Sequence, residues 1–159
     1  MPFVPFYEHF PDVAAEETRE INIIIGWNRW NLARGRYGFV EMYCDEDGCD
    51  CRRVFLYVVS AENLDKPLAV IGYGWEEPEF YARWIKGGTP EEIKGLKGPA
   101  LNLLSPQSAL APGLLKLAKE TLLRDRAYVE RLKRHYRMFR DAIDSGKARR
   151  GKRRQTPRG

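Results

Sequence analysis

From Thr18 to Trp75 the apolar residues come in short runs, and beyond Trp75 they recur at spacings of three and four. That change of period divides the chain into a sheet-forming half and a helical half. Thr18 to Ile25 is dense in β-branched residues (Thr18, Ile21, Ile23, Ile24, Ile25), which suits a strand ended by Gly26. Tyr37 to Cys44 and Arg52 to Ser60 are two further β-like runs. The acidic segment between them has Asp47-Gly48 at its centre, a dipeptide that favours a tight turn, so the two runs predict a hairpin. Val54-Phe55-Leu56-Tyr57-Val58-Val59 is apolar on both faces, as in a strand covered from two sides. Leu68 to Trp75 predicts another strand, with Gly72 and Gly74 on one face where a bulge or another backbone comes close. Residues 1–17 carry proline, aromatic residues and then acids without a sustained period, which predicts an irregular lead-in.

The second half is punctuated by helix signals. Pro78 suits a first helical position, with Phe80, Tyr81, Trp84 and Ile85 on one face and Gly87-Gly88 as a stop. Thr89-Pro90-Glu91-Glu92 reads as a capping box opening a short helix that Gly95 and Gly98-Pro99 close. Ser108 is the expected cap of a leucine-rich helix from Leu110 to Leu123, and Asp125 of a last helix carrying Val129, Leu132, Tyr136, Phe139 and Ile143. The expected fold class is α+β, an antiparallel sheet of about four strands followed by C-terminal helices packed on it.

Length and charge refine this picture. At 159 residues the chain fits one domain, expected over residues 1–144. Residues 145–159 have no apolar side chain larger than Ala148, which predicts a tail that is disordered when free. The longest apolar run is too short to cross a bilayer, and Met1 to Phe6 lacks the pattern of a secretory signal, so the expectation is a soluble, cytoplasmic protein with no membrane segment. The formal charge of +5 is unevenly spread: the tail holds seven basic residues and no acid, which leaves 20 basic against 22 acidic residues elsewhere. Within it, Lys147, Arg149, Arg150, Lys152, Arg153 and Arg154 would attract a polyanion, so weak nucleic-acid binding is expected there, with a solubilising tail as the alternative.

All three cysteines lie in Cys44-x4-Cys49-x-Cys51, at the expected hairpin tip. In a reducing compartment such a cluster points to a metal site or a redox centre before a disulfide. Thiolate-rich tetrahedral sites suit zinc, although iron and copper(I) also accept thiolates. Four ligands are usual in a structural site, and His135 on the last helix is the expected fourth, ahead of His9, with Asp45, Asp47 and Asp50 also at hand.

The residues Cys44-Asp45-Glu46-Asp47-Gly48-Cys49-Asp50-Cys51-Arg52-Arg53, with Gly98-Pro99-Ala100-Leu101-Asn102 and Arg134-His135-Tyr136-Arg137, resemble an uncharacterised group of bacterial proteins. Cys49-x-Cys51 is also similar to the zinc-binding tail motif of the SecA translocase, which implies metal binding. Here the spacing departs from that motif: Cys-x-Cys comes last, and Arg52-Arg53 follows with no second pair within reach. No phosphate loop, Gly-x-Ser-x-Gly, His-Glu-x-x-His or dinucleotide fingerprint occurs. The paired acids Glu76-Glu77 and Glu91-Glu92 fit helix N-termini, and Trp27, Trp30, Trp75 and Trp84 are assigned to packing. The functional expectation is a zinc-stabilised binding or adaptor domain with an unknown protein partner. The alternatives are a nucleic-acid-associated protein using the tail and a thiol-redox or metal-dependent enzyme.

Overall fold

The computed structural model describes residues 3–26 and 28–155, with side chains as far as residue 146. Among them an antiparallel sheet of six strands is built from β1 (Phe3–Pro5), β2 (Arg19–Ile23), β3 (Gly35–Cys44), β4 (Arg53–Ser60), β5 (Ala69–Gly74) and β6 (Ala100–Leu101). The path across it is β1-β3-β4-β5-β6. β1 and β2 share the outer edge of β3, one opposite Cys44 at its end and the other opposite Gly35 at its start. The central hairpin β3–β4 follows the expected runs closely.

The sheet is larger than the four strands expected because its edges are very short. β6 is two residues long, and β1 lies within the lead-in. That lead-in is ordered rather than irregular: β1 passes into a 3-10 turn, Phe6–Glu8, and then into helix α1 (Pro11–Glu17). Elements of three to seven residues are too short to set up a period, so the hydrophobic pattern does not reveal them.

The expected helices form as α2 (Pro78–Ile85), α3 (Pro90–Lys97), α4 (Ala111–Glu120) and α5 (Arg126–Gln155). Thr89 and Glu92 exchange both bonds of the capping box. Asp125 accepts from the Ala127 amide at the start of α5. Ser108 does not cap α4: its hydroxyl accepts from Leu110 N–H ahead of the helix, and the N-cap position is Leu110. The leucine-rich helix also stops early, and Leu122–Arg124 forms a separate 3-10 turn. The backbone of α5 continues past Asp144 to Gln155, while residues 156–159 and the side chains of the basic tail lie outside the described residues. No helix among the described residues is long and apolar enough to cross a membrane.

One sheet face carries Phe39, Tyr43, Val54, Leu56, Val58 and Ile71, all with no exposed surface. α5 lies on this face through Tyr128, Leu132, Tyr136 and Phe139, whose spacings of four, four and three form one helical stripe. The opposite face carries Val40, Met42, Phe55 and Tyr57, only half-buried. α2 and α3 cover its β5 end. There Gly74 leaves room for the Tyr81 ring and Gly72 for the Arg53 and Phe55 side chains, while the absence of a side chain at Gly98 lets the Gly72 carbonyl approach.

Candidate metal centre

Cys44 is the last residue of β3, and Cys51 stands two residues before β4. The connection turns back at Glu46–Cys49, closed by the Cys49 amide donating to the Glu46 carbonyl at 3.2 Å. Gly48 occupies the third position of this turn with φ 68°, where a side chain would be strained. The turn swings Cys49 toward the two strand ends, and the three Sγ atoms lie within 4.8 Å of one another. A tetrahedral ion with metal–sulfur bonds of about 2.3 Å needs sulfurs about 3.8 Å apart, so small side-chain rotations bring the three onto one ion.

Cys44 and Cys51 are fully buried, and Cys49 is partly exposed. Burial pushes the Cys44 thiol up to about 11, and proximity to Cys49 adds to the rise. Burial, then the charges of Cys49 and Cys44, push Cys51 up to about 12. Each rise is opposed by a backbone amide two residues on, Glu46 for Cys44 and Arg53 for Cys51, aimed at the sulfur. Without a cation these two thiols stay protonated at neutral pH, whereas a bound cation would favour their thiolates.

The surroundings hold this loop firmly. Arg140 on α5, 7% exposed, donates to the Cys44 carbonyl at 2.7 Å and the Glu46 carbonyl at 2.9 Å, and pairs with Asp144. Arg52 has φ 48°, a left-handed conformation uncommon for a residue with a side chain. Three elements fix it there. Its amide donates to the Tyr136 hydroxyl, its carbonyl accepts from the Tyr81 hydroxyl, and its guanidinium bridges Asp50 and Glu76.

His135 is not part of the centre. Its Nδ1 lies 2.7 Å from Glu41 Oε1 and its Nε2 2.7 Å from Glu17 Oε2, so both ring nitrogens are engaged by carboxylates. The expected fourth ligand is therefore committed elsewhere, with its ring stacked on Phe6. Among the described residues no histidine, carboxylate or further cysteine joins the three sulfurs. Asp50 is held by Arg52, and His9 packs edge-on against Phe139.

The Glu41–His135–Glu17 group is a second polar constellation, with His135 and Glu41 buried and Glu17 partly exposed. Glu41 also accepts from the Tyr43 hydroxyl at 2.6 Å, and Glu17 pairs with Arg134. Arg134, then His135, hold the Glu17 carboxyl down at about 2. For His135 burial opposes the charged form, but the bonds and charges of Glu41 and Glu17 outweigh it and raise the imidazole above its usual value. The link between hairpin tip and last helix runs instead through Arg140 and Tyr136. Arg140 had one signal in the sequence: a charged residue four positions after Tyr136, in line with the apolar stripe of α5.

The tryptophans described are structural. Trp30 donates to Glu120, Trp75 packs edge-on against Tyr136 and Trp84 lies against the core, while Trp27 is outside the described residues. Comparison of the chain with protein-family models, with curated proteins and with solved structures finds no match.

Proposed function

We propose that the protein is a non-catalytic binding or adaptor domain whose hairpin tip is stapled by a zinc ion on Cys44, Cys49 and Cys51. The observation that carries this reading is the convergence of the chain's three sulfurs within 4.8 Å. The chemistry of the donors supports zinc, which accepts thiolates without redox change and tolerates a fourth ligand from solvent or a partner. The buried guanidinium of Arg140, bonded to the Cys44 carbonyl, suits the net negative charge of a trithiolate complex. At Cys44 and Cys51 a thiol-based enzyme is the weaker reading, because a nucleophilic cysteine needs its pKa lowered and both of these are raised.

Elemental analysis of protein purified under reducing conditions tests the reading, with one zinc per chain expected for wild type and less than a tenth of that for Cys51→Ser. Chelation should lower the melting temperature of wild type sharply. Metal-free wild-type protein that melts unchanged in chelator would sink the proposal.

A further inference from the structure

On the sheet face opposite α5, a groove of about 660 Å³ opens between α3 and the segment that follows β6. Phe3, Phe55, Ile85, Leu96 and Leu101 give it an apolar lining. At its mouth Leu103 and Leu104 are 90% and 97% exposed, an arrangement that leaves two large apolar side chains in water. Its size and lining are those of a small-molecule site.

Arg53 also lines the groove, and it is only 5% exposed. The direction of β4 puts Arg53 and Phe55 on the same face, and the guanidinium lies over the Phe55 ring at 5.2 Å. Its Nε donates to the Leu96 carbonyl at 2.8 Å, while Nη2 sits beside Gly72, another lining residue. Among the described residues the buried arginines are Arg53 and Arg140; Arg140 has a carboxylate within ion-pair distance and Arg53 has none. The acid on the groove wall, Glu92, is bound to the Thr89 amide in the helix cap. One of the five N–H donors of Arg53 is spent on the Leu96 carbonyl; the others have no protein partner among the described residues and are not sealed from water, so an incoming anion can meet them.

We propose that this groove binds an apolar monocarboxylate, such as a fatty acid, with its carboxylate on Arg53 and its hydrocarbon along Phe3, Phe55, Leu96 and Leu101. Charge complementarity selects the head group. The apolar walls select the tail, and a bound chain covers Leu103 and Leu104. This site is separate from the cysteine centre, although Arg53 is close enough to Cys51 to act on it electrostatically.

Titration calorimetry with dodecanoate below its aggregation concentration, set against dodecanol and dodecylammonium, tests this on the full chain. Wild type should bind one dodecanoate, at least about tenfold tighter than either control, the range expected for a charge-assisted bond. Arg53→Met should abolish the preference for carboxylate over alcohol while retaining dodecanol binding. Leu103→Asp with Leu104→Asp, at two exposed positions that leave the core intact, should weaken all apolar ligands at least tenfold. Metal content measured on Arg53→Met separates a ligand-binding role from one as counter-charge to the cysteines. Equal affinity of wild type for dodecanoate and dodecanol, binding that survives both sets of substitutions, or a concentration-dependent dimer that takes up no dodecanoate would each overturn the proposal.

Discussion

His135 sits where its two nitrogens meet two carboxylates, and its replacement should expose how those charges were balanced. An imidazolium between Glu41 and Glu17, with Arg134 beside Glu17, makes a group without net charge. Removing one partner leaves a buried carboxylate uncompensated, at a cost of roughly 3 kcal/mol or more. We expect His135→Ala to lower stability by about that amount while retaining the wild-type zinc content; loss of zinc with unchanged urea stability would contradict this assignment. The same group sets a pH dependence. His135 is raised above 6.5, so its contribution is complete below that value and is lost as pH rises through the folded-state pKa. Glu17 is lowered from 4.5 to about 2, so its contribution is present above 4.5 and is lost as pH falls toward 2. These two groups together should place their greatest contribution between about pH 4.5 and 6.5. Urea denaturation across pH should show the alkaline decline in wild type and a flatter limb in His135→Gln. Parallel profiles for the two proteins would rule out His135 as the titrating group.

At the scale of elements, the β3–β4 hairpin is positioned by α5, and Arg140 is the contact that reads the loop. Its guanidinium satisfies the carbonyls of Cys44 and Glu46, which flank the turn carrying Cys49. Arg140→Met should keep the helical packing through the aliphatic part of the side chain yet loosen the turn. Zinc affinity measured by competition with a chromophoric chelator should fall by about 10- to 100-fold, as for other groups that orient metal ligands. Unchanged affinity would mean that the loop holds its shape without Arg140. This element also marks what the sequence can and cannot reveal. Asp47-Gly48, the Thr89 capping box and the stripe of α5 are local patterns, and each was readable because neighbouring residues determine it. The partners of His135 are 94 and 118 residues away, on a strand and at the end of a seven-residue helix that left no period. Arg140 lies in line with the apolar stripe of α5, but only tertiary packing makes it buried. The cysteine cluster was recognisable from spacing, but its isolation from His135 depends on the register of α5 against β3.

For the whole molecule, charge is divided between a slightly acidic body and a strongly basic end. Outside residues 145–159 there are 20 basic and 22 acidic residues, whereas that segment has seven basic residues and no acid. The backbone of α5 carries the chain from the sheet through most of this segment, to Gln155. A polyanion should therefore be held by Lys147, Arg149, Arg150, Lys152, Arg153 and Arg154, with little help from the body. Counterion release by six such charges limits the slope of log affinity against log salt to about −5 on duplex DNA. Because the contacts are to phosphate, sequences of equal length should bind alike. Deleting residues 145–159 should abolish retention on duplex DNA at low salt, while zinc content stays at the wild-type level and stability changes by less than about 0.5 kcal/mol, as for surface changes outside a core. Retention by the shortened protein would move the interface onto the body, and a salt slope near zero in the full chain would exclude electrostatic binding by the tail.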